Sequence, residues 1–140
     1  MSLAGRIQLA AALLAALFLF TGCATSRFEW TPGYPGQVSS SGRPVKANLE
    51  GMNSGVFVFY FLPLWSGQET RPNRGEFYTL DNRVRPKHLR LMFDSMKRYL
   101  DGDTVEDFGY EEHSTGWWSL WIFWKRSIHG RAVLTESDRN

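Results

Sequence analysis

The sequence predicts an α+β fold, a small antiparallel sheet of about four strands in the order β-β-α-β-β with one amphipathic helix on one face. Three observations lead there. Val56–Leu62 and Trp117–Trp124 are β-branched or aromatic almost throughout, which is strand composition. Between them, Leu89, Met92, Phe93, Met96 and Leu100 repeat at helical spacing. Near the end of the chain, Ile128–Thr135 alternates with the period of a strand.

Taken in order, the chain opens with Met1–Arg6, which carries one positive side chain, Arg6. From Ile7 to Phe20 only Gln8 is polar, and the small residues Thr21 and Gly22 follow. This is the charged, apolar, small-residue order of a secretory signal. The apolar run of 14 residues is shorter than the roughly 20 that a spanning helix needs. Residues 1–22 are therefore expected to be a cleaved signal peptide. Residues 23–46 are dense in Pro, Gly and Ser and are expected to form a flexible tether, spanning about 25–30 Å as a coil. Phe28, Trp30 and Tyr34 interrupt it, placed either at a headgroup interface or back on the domain.

The folded domain is expected over residues 47–136. Ala47–Glu50 is expected to pair with Val56–Leu62 through a turn at Gly51-Met52-Asn53-Ser54-Gly55, with Pro63 stopping the second strand. Gln68–Gly75 reads as a polar surface loop, carrying Arg71 and Arg74 ahead of Glu76. Glu76–Leu80 reads as a short extended piece. Pro86 suits the first turn of a helix that runs to Asp101, and Gly102 is the expected stop. Asp103–Glu112 suits a strand with a bulge near Gly109. Trp117–Trp124 follows, then Ile128–Thr135, with Ile128, Gly130, Ala132 and Leu134 on one side. Residues 137–140 form a polar tail.

Two strands with two apolar faces and a single helix leave one aromatic face uncovered. Phe57, Phe59, Phe61, Trp117, Trp118, Trp121 and Trp124 are the candidate interaction surface, since a large exposed apolar patch usually marks a contact site.

The chain has one cysteine, Cys23, directly after Phe20-Thr21-Gly22. One cysteine makes neither an internal disulfide nor a multi-cysteine metal site. The segment resembles the lipobox of bacterial lipoproteins, with Phe20 where that family favours Leu. The resemblance implies cleavage between Gly22 and Cys23, and a diacylglyceryl group on the Cys23 thiol with further acylation of the new amino terminus. It also implies a place in the cell envelope. Ala24, where the family uses Asp for inner-membrane retention, implies the outer membrane, facing the periplasm. Several acyl chains hold a protein on a membrane stably where one does not. Residues 47–136 also resemble small uncharacterised bacterial lipoproteins, through Asn53-Ser54-Gly55, Leu62-Pro63-Leu64 and the Trp-rich stretch. That family implies no reaction.

The sequence holds 16 basic and 14 acidic residues. Arg6 leaves with the signal, so 15 basic residues face 14 acidic ones in the mature part. No basic excess points to nucleic acid. Of the histidines, His88 falls on the helix start, His113 in a turn and His129 on a strand, and none has a second ligand at metal spacing. Glu111-Glu112-His113 comes nearest, but three consecutive strand residues cannot face one ion. No nucleophile elbow, phosphate loop or dinucleotide fingerprint is present. The expectation is a non-enzymatic lipoprotein without metal or cofactor. Its partners are the membrane, through its lipid, and either a second copy or another envelope protein. A periplasmic ligand-binding or sensor domain is the alternative, and an envelope hydrolase the next.

Overall fold

The computed structural model describes residues 5–8, 12, 25–102, 104–116 and 120–136. Among them, six strands form one antiparallel sheet. They are β1 (Ser26–Pro32), β2 (Val45–Val58), β3 (Leu62–Gly67), β4 (Phe77–Thr79), β5 (Thr104–Thr115) and β6 (Phe123–Thr135), with helix α1 (Pro86–Met96) between β4 and β5. The sheet order is β4-β3-β2-β6-β5. β6 runs along one edge of β2 from Val45 to Val58. The other edge is shared, since β1 pairs with Ala47–Asn53 and β3 with Gly55–Val58. The two therefore lie end to end. The α+β class holds, with more strands than the about four expected from periodicity alone.

The additional strands have identifiable causes. Residues 26–32 were expected in a flexible tether, yet they form β1. Phe28 faces inward, and its ring lies 6.1 Å from that of Phe93. Trp30 and Tyr34 remain exposed. The Pro, Gly and Ser residues that follow build a turn closed by a Val38–Pro44 bridge, with Gly36 and Gly42 at positive φ. Ahead of β1, Thr25 is already tied to the sheet: its N–H donates to Ser54 Oγ at 3.0 Å and its carbonyl accepts from Ser54 N–H at 2.9 Å.

Gly51–Gly55 was expected to be a turn, and β2 instead runs straight through it. These glycines mark close approach rather than reversal. A Cβ at Gly55 would lie 2.7 Å from the Trp65 carbonyl oxygen. The reversal comes later, inside the expected Val56–Leu62 strand. β2 ends at Val58, Phe59 and Tyr60 take φ of 49° and 73°, and β3 begins at Leu62. Pro63 pairs with Phe57 and Trp65 with Val56, so Leu64 is an extra residue in a bulge, a setting that tolerates proline.

α1 lies across the sheet on a bare patch. Gly51 of β2 and Gly130 of β6 are directly paired. A Cβ on Gly130 would sit 2.3 Å from Leu89 Cδ2, and one on Gly51 would sit 2.7 Å from Phe93 Cε1. Two adjacent glycines thus let the helix side chains settle onto backbone. Leu89, Met92 and Phe93 are fully buried, and Met96 and Leu100 pack at the margin. β5 contributes Phe108 through a bulge, where Asp107 and Phe108 together oppose the gap between Val133 and Arg131. The Phe108 ring meets Phe93 edge-on at 5.9 Å. The helix is shorter than expected, closing in turns from Lys97 to Asp101. The left-handed residue there is Asp101, at φ 52°. Gly102 is needed for a different reason, because a Cβ would meet Leu134 at 2.3 Å.

At the far end of the sheet, the Ser39–Ser41 turn is pinned to the β5 bulge. The Ser41 hydroxyl donates to Glu106, Ser40 N–H donates to Asp107 at 3.0 Å, and Arg43 lies 3.2 Å from Glu106. The Ser41 and Ser39 hydrogen bonds, with Arg43 beside them, hold the Glu106 carboxyl below its usual range. Ser40 does the same for Asp107.

Two expectations follow from this packing. Gly130→Ala and Gly51→Ala should each destabilise the fold by about 1–3 kcal/mol through overpacking. Gly109→Ala, with open space around the added carbon, should change stability by less than about 0.5 kcal/mol. Urea unfolding of the three variants checks the difference. Because the folded pKa values of Glu106 and Asp107 are depressed, their contribution is present above the unfolded carboxylate range and is lost as pH falls through the folded values. Acidification should therefore release the Ser39–Ser41 turn first. Amide exchange at Ser40 should rise with acid in the wild type, relative to the rest of the sheet. In the Glu106→Gln, Asp107→Asn double variant that acid response should be absent.

Candidate functional site

Seven large apolar side chains that the core does not use, Phe59–Leu62 and Leu120–Ile122, gather at one end of the sheet, while others such as Tyr34, Leu91 and Tyr99 stand exposed elsewhere. Two loops build this tip, Phe59–Phe61 between β2 and β3, and Leu120–Ile122 ahead of β6. Phe59 N–H donates to the Ile122 carbonyl at 2.7 Å and locks one loop to the other. Trp124 lies beneath, with its ring 5.1 Å from Tyr60 and 5.2 Å from Trp121, and its Nε1 donates to the Trp121 carbonyl at 3.0 Å. The outer side chains face solvent: Leu120 is 83% exposed, Phe61 72%, Trp121 61% and Phe59 58%. Tyr60, Leu62 and Ile122 extend the patch.

Backbone and charge add to this. Phe59, Tyr60, Leu120 and Trp121 all have φ between 49° and 73°, a region that costs a bulky residue about 1–2 kcal/mol and that glycine or asparagine would occupy readily. Both turns thus carry large apolar residues where local conformation disfavours them. Neither Phe57–Ser66 nor Leu120–Arg126 contains an acidic residue. Lys125 and Arg126 lie just behind the tip, with the Arg126 guanidinium over the rings of Phe57 and Tyr60 at 4.9 and 4.8 Å.

The expected interaction surface is redistributed. Phe59, Phe61 and Trp121 come together at the tip. Phe57 is fully buried under the helix layer, and Trp124 is a partly buried support. Trp117 and Trp118 lie outside the described residues, as do Gly22 and Cys23. The expected uncovered aromatic sheet face is replaced by a polar one. Trp121 and Ile122 sit in a turn rather than a strand, and β6 starts at Phe123. Tyr60, Leu62, Leu120 and Ile122 were not singled out by the sequence, because period-two alternation carries no sign of the reversals that expose them.

The face of the sheet away from α1 carries a shallow groove of about 610 Å³, with Arg27, Glu50, Glu111, His113, His129 and Arg131 among its walls. Register brings them together: Arg27, Met52, His129 and Glu111 form one row across four strands. Side chains pair within the row or beside it, Glu50 with Arg131 at 3.4 Å and Glu111 with His113 at 3.7 Å. The His113 and His129 rings meet edge-on at 5.5 Å. His113 lies in β5, not in a turn. Glu112 faces the other way, 3.9 Å from Arg126. Among the described residues, no three His, Cys, Asp or Glu side chains gather to hold a metal ion.

A buried ionic group lies at the start of α1. Glu69, expected on a solvated loop, is 2% exposed. Its Oε1 accepts from Arg83 at 2.8 Å and lies 3.2 Å from His88 Nδ1. Arg83 also donates to Asp81, and Asn53 donates to the Arg83 carbonyl at 2.9 Å. Neither the groove nor the smaller cavity beside Tyr60 is walled by Glu69 or His88. The group fastens the Gln68–Gly75 loop to the helix start.

No family model matches the chain, and neither the curated proteins nor the solved structures contain a match to it.

Removing Arg83 would strand a buried carboxylate, which typically costs about 3–5 kcal/mol. Arg83→Met should therefore lower stability strongly at neutral pH, and adding Glu69→Gln to the same chain should recover part of the loss. Urea midpoints of the two variants measure both effects. Equal stability of Arg83→Met and the wild type would contradict the role given to the pair.

Proposed function

We propose that this protein is a lipid-anchored lipoprotein of the cell envelope, acting as a non-enzymatic interaction module whose contact surface is the apolar tip. The observation that carries this reading is Phe20-Thr21-Gly22-Cys23, an apolar run ending in the sole cysteine, two residues ahead of Thr25, which is hydrogen-bonded to Ser54 in the sheet. Cleavage before Cys23 would leave an acylated amino terminus attached almost directly to β1. No helix among the described residues is long and apolar enough to cross a membrane, so the lipid would supply the attachment. Ala24 favours the outer membrane, facing the periplasm.

The junction changes what the anchor does. A flexible tether would hold the domain about 25–30 Å from the bilayer. With Thr25 already hydrogen-bonded to Ser54, the domain is held close to the headgroups. The polar groove favours a second reading, a periplasmic ligand-binding or sensor domain. Its walls mix Arg, Glu and His, which suits a small polar ligand.

Intact mass and membrane fractionation of the wild type and of Cys23→Ser test the main reading. The wild type should carry the added mass of acyl chains and sediment with membranes. Cys23→Ser should carry no acyl mass and retain its uncleaved leader. A wild-type protein that has no lipid mass and stays in the soluble fraction would overturn it.

A further inference from the structure

The chain enters the domain on the side from which the tip projects. β1 is antiparallel to β2, so following β1 backwards from Pro32 to Ser26 moves forwards along β2 from Ala47 to Asn53. Thr25 lies level with Ser54, and β3 takes over the edge of β2 at Gly55. Phe59 is five residues further on, about 17 Å at roughly 3.4 Å per residue. The two residues from Thr25 back to Cys23 can reach at most about 7 Å. A lipid on Cys23 would therefore attach at least about 10 Å short of the tip along the strand direction. Amphipathic elements lying in a bilayer interface bury their apolar side by about 5–10 Å. With the chain from Thr25 to Cys23 extended towards the tip, the offset meets the upper end of that range.

We propose that the tip, Phe59, Tyr60, Phe61, Leu62, Leu120, Trp121 and Ile122, dips into the bilayer interface beside the anchor. The inference rests on the lipid-anchor reading and names lipid as the occupant of its contact surface. Three further features suit lipid. Tyr and Trp with apolar neighbours are the side chains that settle at headgroup depth. Lys125 stands exposed behind them, where phosphates would lie, and the two loops contain no carboxylate to be repelled. The four left-handed backbones keep bulky apolar side chains in turns that smaller polar residues would fit with less strain. Seated this way, the sheet stands on its tip. The Ser39–Ser41 turn points away from the membrane, and the polar groove opens to the side. Lipid attachment at Cys23 thus becomes a second signal beside an inserted tip, and together they fix orientation as well as position.

The test uses the purified lipidated protein in vesicles of phosphatidylethanolamine and phosphatidylglycerol, with and without brominated acyl chains. Brominated chains should quench part of the tryptophan emission, and Trp121→Phe should lose that part. Trp30→Phe should keep it, because Trp30 pairs with Leu49, ten residues from Phe59 along β2. A second variant guards against misfolding. Phe59→Asn with Leu120→Asn places residues suited to left-handed turns at two exposed positions. Its melting temperature should equal or exceed that of the wild type, while quenching falls. The proposal is overturned if iodide in the buffer quenches Trp121 equally with and without vesicles. It is also overturned if Trp121 is shielded from both quenchers, the result expected of a protein partner, a second copy or another part of the chain on the tip. Acyl mass on Cys23 without bromolipid quenching would sink the tip alone. Quenching without acyl mass would sink the anchor instead.

Discussion

The packing depends on two side chains that are not there. Gly51 and Gly130, paired across β2 and β6, leave a bare stretch of backbone at the centre of the sheet. Leu89 and Phe93 descend onto it, and Phe93 in turn meets Phe28 from β1 and Phe108 from the β5 bulge. The core is therefore built around one helix seated unusually close to its sheet, with aromatic rings from three elements interlocked at the seat. Closeness matters energetically because dispersion falls off steeply with any gap. A side chain on either glycine would lift the helix and open those contacts together.

One helix on such a seat covers one face. The other face is polar across its middle, with Arg131 paired to Glu50 across strands and Glu111 beside His113 along β5. An aromatic-rich chain then has to place its remaining rings somewhere, and Phe59, Tyr60, Phe61 and Trp121 go together to the end of the sheet. Two loops converge there, held by a backbone hydrogen bond and by Trp124 beneath them. The division is functionally suggestive. A covered core gives rigidity, a polar face stays soluble, and a concentrated apolar end on the anchor side gives the molecule a direction. Thr25 is hydrogen-bonded to Ser54, so under the proposed lipid attachment at Cys23 the anchor and the tip would act on the same bilayer at short range.

What was legible in the sequence was periodic. The stripe Leu89, Met92, Phe93, Met96 and Leu100 identifies the helix, and alternation from Ile128 to Leu134 identifies the buried side of β6. The β5 bulge expected near Gly109 falls between Glu106 and Gly109. What was not legible depends on contacts distant along the chain. Gly51 and Gly55 look like turn residues until a helix is placed above one and Trp65 beside the other. The reversal at Phe59 and Tyr60 carries no glycine, asparagine or proline, so an unbroken apolar run conceals a hairpin, and Phe57 parts from Phe59 and Phe61 instead of sharing a face with them. β1 hides in Pro/Gly/Ser-rich surroundings because its place depends on Phe28 finding Phe93. Glu69 reads as a loop residue because its partners, Arg83 and His88, come 14 and 19 positions later. The aromatic composition pointed to a contact surface, but its location at an end rather than on a face required the fold.

The measurement that bears most directly on this arrangement is a residue-by-residue depth profile of the lipidated protein in nanodiscs, read by amide relaxation from spin-labelled lipids. Phe59–Leu62 and Leu120–Ile122 should broaden most, with little effect at Ser40–Gly42. Even broadening along the sheet, or the strongest effect at Ser40–Gly42 or around His113 and His129, would contradict it.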